Sequence, residues 1–241
     1  MQNEGEITCD TLLRGRVKLL QPRQGFRSSL DPVLLAGFIT PPFGRFLDIG
    51  CASGALSFLL LSHDETATGT GVEIQPRLAA LAEQGRRENG FEQRFHLVTG
   101  DIRVRDTVDA AGFDLVATNP PFRPIGSGVL PPLSEKAMAN HEVSLALAEW
   151  LDVASFALRE NGRLATIFPF DRWNELRAGL VARGIFVARF RAVVARSGEL
   201  PQRILVEARR GSAQPLEEPP LVVHDQGGYS LEVRRMLGED T

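Results

Sequence analysis

Short apolar runs of strand length alternate with longer stretches of helical period along most of this chain. "RFLDIG" stops at Gly50 and gives way to "GALSFLLLS", which reads as a helix. "GTGVEI" stops near Glu73, and "PRLAALAEQGRREN" follows with one apolar face and Pro76 at its first turn. "RFHLVTG" stops before Asp101, and "FDLVATN" stops at Asn119. "SLALAEWLDVASFAL" is the next helical stretch, followed by the strand "GRLATIFPF" and the helix "RWNELRAGLVARG". "FVARFRAVVAR" and "RILVEARR" come close together and predict an antiparallel strand pair. Strands separated by helices of this length pair in parallel through right-handed crossovers. The pattern therefore predicts an α/β, Rossmann-like fold. It has a seven-stranded, mostly parallel sheet, helices on both faces and an antiparallel edge.

The flanks are predicted from weaker signals. Residues 7 to 20 alternate loosely around an Arg-Gly pair and predict a small N-terminal hairpin. "SLDPVLLAGFI" predicts a helix capped by Asp31, with Pro32 in its first turn, and Pro41 and Pro42 break the chain after it. A single domain follows from this organisation. Residues 1–28 are a hairpin extension, 29–211 the core, and 212–241 a C-terminal extension that could hold a hairpin and a short helix. Residues 123 to 142 carry prolines, glycines and serine without a period and predict a long loop, a kind usually tied to function.

Composition narrows the class. The 241 residues are 43% hydrophobic and 24% charged, with no apolar run long enough for a membrane span and no signal-peptide pattern. Two cysteines cannot build a disulfide framework, and four scattered histidines show no ligand spacing, so no metal is expected. A reducing cytoplasm fits. Net charge is −3, which argues against general coating of nucleic acid. Two acid-free basic stretches run the other way. Arg14, Arg16, Lys18 and Arg23 lie in one, and Arg189 and Arg191 in the other, all candidate RNA contacts set against a plain reading as solvated hairpin faces.

Candidate chemistry gathers at predicted strand ends. "LDIGCASG" joins the first strand of the core to a helix, with Gly50 and Gly54 in a G-x-x-x-G spacing rather than the dinucleotide G-x-G-x-x-G. No cation waits there for a pyrophosphate. Asp48, just ahead of the turn, would repel phosphate and attract an ammonium or a sulfonium. Glu73 ends the next strand, where an acid can accept both hydroxyls of a ribose. Asp101 follows the third strand and could accept an adenine amine. Taken alone, either acid could be a cap or a solvated turn. Together they describe a site for an adenosine with a charged tail and no phosphate.

The fourth strand ends in "NPPF", Asn119 to Phe122. Two prolines fix the backbone and remove two N–H donors, leaving a stiff row of acceptors. The Asn119 side-chain oxygen and the Pro120 carbonyl can both accept from one planar NH₂ group, whose delocalised lone pair makes it a poor nucleophile. Two acceptors would stabilise charge as it develops on that nitrogen. Pro121 stiffens the segment, and Phe122 offers a flat face to a base outside its stack. An isolated Pro-Pro-Phe would ordinarily be a proline turn with a buried ring.

The ordered set "LDIGCASG", "GVEI", "GDI" and "NPPF" resembles class I S-adenosylmethionine-dependent methyltransferases that modify amino nitrogens. The flanks "LLQPRQGFRSSLDPVLLAGF", "HE" at His141–Glu142 and "QRILVEARRG" narrow it to the bacterial tRNA(Val) adenine-N6 methyltransferase family. The likeness spans about residues 8 to 211, more weakly Tyr229 to Leu237. It implies S-adenosyl-L-methionine as cofactor, tRNA as partner and the adenine 3′ of the anticodon as acceptor. On these positions it implies that Asp48, Gly50 and Gly54 line the methionine, that Glu73 and Ile74 hold the ribose end, and that Asp101 and Ile102 hold the adenine. Arg27, Ser28 and Asp31 would close over the methionine end, and Asn119, Pro120, Pro121 and Phe122 would hold the acceptor, with Asn119 also touching the cofactor. Ala52 departs from the pattern, since related loops usually carry glycine there. Two other readings stand beside this one: methylation of a protein glutamine amide, and a non-catalytic cofactor-binding module that chaperones RNA.

Overall fold

The computed structural model describes residues 6–104, 106–120, 146–211 and 214–239. An N-terminal hairpin pairs β1 (Ile7–Leu12) with β2 (Val17–Pro22) through a single 3-10 turn. Helix α1 (Asp31–Phe38) leads into the alternating core: β3 (Arg45–Ile49), α2 (Ala55–His63), β4 (Thr68–Glu73), α3 (Pro76–Glu88), β5 (Phe95–Thr99), β6 (Phe113–Thr118), α4 (Leu147–Ala157), β7 (Leu158–Pro169) and α5 (Trp173–Val181). Then come β8 (Ile185–Val194), β9 (Arg203–Arg210), β10 (Leu216–Val222), the tight pair β11 (His224–Asp225) and β12 (Gly228–Tyr229), and α6 (Leu231–Met236).

The seven expected strands lie in one sheet, and β10 adds an eighth, giving the order β10-β8-β9-β7-β6-β3-β4-β5. Only β9 runs antiparallel to its neighbours. From β3 the chain winds outward to β4 and β5, then returns to β6 on the other side of β3. That reversal opens a crevice at the carboxyl ends of β3 and β6, where ligands bind in open parallel sheets. The eighth strand was hidden by Pro219 and Pro220, which interrupt its register between Glu218 and Leu221. Prolines are tolerated there because β10 is an edge strand with no partner beyond it. The C-terminal hairpin and short helix expected after residue 212 are present.

The strands are apolar on both faces, and consecutive residues divide between two cores. Phe46, Leu115, Ala117, Ile167 and Leu205 pack with α1, α2 and the hairpin residues Val17 and Leu19. Leu47, Val116, Leu164, Phe168 and Ile204 pack with α4 and α5. This is why the runs read as continuous rather than alternating. No described helix is long and apolar enough to cross a membrane.

Two expectations are corrected here. Asp31 is not the cap of α1. The helix begins at Asp31, whose N–H is taken by Ser29 Oγ at 3.2 Å, leaving the carboxylate for another partner. Arg189 and Arg191 are not free for RNA. Arg189 lies 4.0 Å over the Phe38 ring and bonds Glu207 at 3.2 Å and Glu218 at 2.9 Å. Arg191 bonds Pro219 O at 2.6 Å and Glu232 at 2.8 Å. Their stretch lacks acids locally, but neighbouring strands and α6 bring carboxylates to it. Burial pushes the Glu207 carboxyl up, yet a hydrogen bond from Arg209 and the charges of Arg163 and Arg189 hold it below its ordinary range.

Phe58, fully buried on α2, packs against Phe91 and Phe95 with ring centroids 5.8 and 5.7 Å away. A Cβ at Gly85 of α3 would lie 2.8 Å from its ring. Gly to Ala inside a helix ordinarily stabilises by about 1 kcal/mol. Here the ring has nowhere to move, so Gly85→Ala should lower stability by roughly 1 kcal/mol or more through overpacking. Urea denaturation of the two proteins checks the sign.

Candidate active site

A cavity of about 770 Å³ opens at the carboxyl ends of β3, β4 and β6, beside the start of β9. The turn after β3 shapes its floor. Gly50 and Gly54 have φ of 71° and 92°, values that L side chains rarely adopt. The Gly50 and Cys51 amides both donate to Val72 O, at 3.0 and 3.1 Å, so the turn is tied to the end of β4. Ala52 also sits in the left-handed region, φ 49°, at a cost of about 1 kcal/mol for a residue with a Cβ. Its methyl packs against the cluster of Leu20, Leu78 and Leu81, which offsets that strain. In that conformation the Ala52 N–H donates to Glu73 Oε2 at 2.9 Å, while Gln75 N–H donates to Oε1 at 2.8 Å.

Asp48 and Glu73 are both buried, and both take hydrogen bonds from neutral donors. Ser57 Oγ donates to Asp48 at 2.7 Å. Burial pushes the Asp48 carboxyl up to about 7, with the nearby Glu73 charge adding to the rise against the Ser57 bonds. Burial likewise raises Glu73, against amides of Gln75, Ala52 and Ile74. Two desolvated carboxylates on adjacent strands form a strongly cation-seeking floor. Cys51 between them is buried, and its thiol is pushed well up by desolvation and by both acids, which keeps it protonated and inert.

On the β6 side, Thr118 Oγ1 donates to Ile49 O at 2.9 Å and locks the two strand ends together. Asn119 follows, lining the cavity with Pro120. Its Oδ1 is buried and has no hydrogen-bond partner, although the residue lines the cavity. At the far end, Ile102 is buried and apolar, and Asp101 is clasped by Arg103, with bonds of 2.7 to 3.0 Å. Hydrogen bonds from Arg103 hold the Asp101 carboxyl below its ordinary range. Arg103 also reaches Glu149 on α4 at 3.3 Å.

The mouth is formed by the segment between the hairpin and α1. Gln21, itself buried, accepts the Ser28 N–H at 2.6 Å and fixes that segment over the cavity. Arg27 donates to Thr8 Oγ1 at 2.7 Å and pairs with Asp10. Asp31 faces Arg203 at 3.4 Å. The cavity thus gathers Arg27, Ser28, Asp31, Asp48, Gly50, Glu73, Ile74, Asp101, Ile102, Asn119 and Pro120, while Gly54 supports the turn from behind. Pro121, Phe122, His141 and Glu142 lie outside the described residues. Arg14, Arg16, Lys18 and Arg23 sit on the hairpin, away from the floor. Arg16 bonds Leu13 O, Lys18 pairs with Glu88 at 3.1 Å, and Arg23 pairs with Glu6.

Sequence reasoning missed Gln21, Ser57, Arg103 and Arg203. Ser57 had a local signal, one polar residue in an otherwise apolar helix start. Arg203 had none, because only sheet order places the start of β9 at this rim.

The raised Asp48 carboxyl has consequences of definite sign. Native Asp48 holds its proton to about pH 7, and the unfolded chain to about 3.8. Between those values the native state binds more protons, so this residue makes stability fall as pH rises. Asp48→Asn should therefore be more stable than the parent at pH 8, by about 3 °C or more in Tm, and the gap should shrink toward pH 5. Scanning calorimetry at both pH values checks it.

Comparison with known proteins places this geometry. The methyltransferase small domain family matches residues 32–169. A protein of Porphyromonas gingivalis named tRNA1(Val) (adenine(37)-N6)-methyltransferase is 32% identical over 84% of this chain and 83% of its own length. A Haemophilus influenzae protein of the same name is 28% identical over 88% and 89%. Among solved structures, a predicted O-methyltransferase from Agrobacterium tumefaciens superposes with TM-score 0.68 at 23% identity, covering 87% of this chain and 96% of that one. TYW2 of M. jannaschii in complex with AdoMet superposes at 0.59 with 11% identity, covering 88% and 90%. At those identities both establish the fold.

Proposed function

The chain belongs to the methyltransferase small domain family, and we propose that it transfers a methyl group from S-adenosyl-L-methionine to the exocyclic N6 amine of an adenine in tRNA. The relatives' names point to adenine 37 of tRNA1(Val). The reaction belongs in the cytoplasm, where tRNA is used. The observation that carries the reading is the unpartnered Oδ1 of Asn119, a buried acceptor on a cavity-lining residue at the end of β6.

The residues present fit the cofactor. Buried carboxylates and a glycine turn without phosphate-binding cations suit an adenosine that ends in a cationic amino acid rather than a pyrophosphate. Glu73, already shaped by two backbone amides, would accept the ribose hydroxyls. Ile102 would pack on the adenine and Asp101 would accept its amine. Asp48 would face the positive charge of the methionine part, and Arg27, Ser28 and Asp31 would close the mouth. When bound, S-adenosylmethionine supplies an electrophilic methyl group on a sulfonium.

The chain's own task is to make an amine nucleophilic. Asn119 Oδ1 and the Pro120 carbonyl would accept the two N6 hydrogens. Pro120 has no N–H, so nothing beside its carbonyl competes as a donor. These acceptors strengthen their bonds as positive charge grows on nitrogen, so they act more on the transition state than on the ground state. Pro121 and Phe122 complete the acceptor motif, and Phe122 would stack on the base. Arg14, Arg16, Lys18 and Arg23 offer the hairpin as a phosphate-contacting surface. None of the relatives above is named for a protein-glutamine acceptor.

The test is methyl transfer to tRNA lacking the modification, read by nucleoside mass spectrometry. An N6-methyladenosine product is expected. Asn119→Ala should lower kcat on the order of 10²–10³-fold, while cofactor affinity stays within about threefold. Cofactor binding without any methylated adenine would overturn the substrate assignment.

A further inference from the structure

Strand β9 enters the sheet at the rim where β7 leaves it, and Arg203 pairs in register with Pro169. Leu205 packs in the core that holds α1 and α2, and Ile204 in the opposite one, so alternation places Arg203 on the α1 side of the sheet. There its Nε donates to Asp31 Oδ2 at 3.4 Å, across 172 residues of sequence, and its Nη1 donates to Gln202 O at 3.2 Å, so it is held at the cavity by partners as Arg27 and Arg103 are. Both residues line the cavity.

The other charges around the cavity have distinct places. Asp48, Glu73 and Asp101 form its floor and far end, and none supplies a positive charge. Arg103 is clasped to Asp101 and Glu149 at that far end. Arg27 is anchored on the hairpin by Asp10, Thr8 and the Pro22 carbonyl. An α-amino-acid end carries one ammonium and one carboxylate side by side. An acid and an arginine side by side, on a ligand cavity otherwise floored by acids, are its complement.

We propose that Arg203 and Asp31 hold the amino-acid end of the cofactor, Arg203 on its carboxylate and Asp31 on its ammonium. This rests on the methyltransferase reading above and makes Arg203 a cofactor-binding residue. It also ties cofactor binding to the entry of β9, on the same sheet face as Asn119.

Calorimetric titration of the full chain with three probes tests it: S-adenosyl-L-methionine, S-adenosyl-L-homocysteine, and decarboxylated S-adenosylmethionine, which keeps the ammonium and the sulfonium. The unaltered protein should bind the decarboxylated probe about tenfold or more weakly than S-adenosylmethionine. Arg203→Met should weaken both carboxylate-bearing probes about tenfold or more and leave the decarboxylated one unchanged. Arg203→Lys should recover part of the loss. The comparison on the unaltered protein needs no variant, so misfolding of R203M does not blunt the test. Equal affinity for the cofactor and its decarboxylated form overturns the proposal. So does an R203M loss that is the same for all three probes, which marks a structural pair. Intact cofactor affinity with a raised KM for tRNA also overturns it and assigns Arg203 to RNA phosphate. Failure of the unaltered protein to bind any probe sinks the methyltransferase reading together with this one.

Discussion

Asp48 and Glu73 are buried carboxylates at the ends of adjacent parallel strands, and each is held by neutral donors. Keeping two such groups out of water is costly, and the fold arranges its surroundings to make that tolerable. The turn after β3 takes left-handed backbone at three positions, which aims the Ala52 amide at Glu73. Ser57, one turn into α2, is turned inward to Asp48. The result is a site whose electrostatics are incomplete without a cation, so binding and stability pull on the same residue in opposite directions. Such conflicts are expected where function overrides local preference.

The turn holds its shape because the core behind it does not yield. A Cβ at Gly54 would meet the Phe58 ring at 2.6 Å, and one at Gly71 would meet Phe95 and Cys51. Phe58 in turn packs against Phe91 and Phe95. Aromatic packing beneath the site and backbone geometry at its surface are therefore one continuous constraint. On the other side of the crevice, Thr118 ties β6 to β3, so Asn119 is positioned against the same turn.

Much of the architecture, and the rim where the candidate site residues gather, was legible in the sequence. A strand buried on both faces must be a continuous apolar run, and the polar residue that ends it must stand at the rim. Asp48, Glu73, Asp101 and Asn119 could therefore be assigned to one edge from their positions alone. Ala52 could be singled out as unusual, although only its φ of 49° explains what glycine would do there. The prolines of β10 pointed away from a strand that the sheet edge nevertheless accommodates.

What escaped the sequence were pairings between distant segments. Arg189 and Arg191 lie in an acid-free stretch, yet Glu207, Glu218 and Glu232 reach them from other elements. Asp31 looked like a cap, but it is the first residue of the helix, and Arg203 takes its carboxylate. The physical division is plain. Side-chain period, turn chemistry and the rim position of strand ends are set by neighbours within a few residues, so the sequence by itself determined the elements, the order of chemistry along them and the kind of ligand they suit. Which charges meet depends on strand order and on the reversed direction of β9. Only the tertiary structure decided which arginines are locked into the sheet edge and which stand at the cavity.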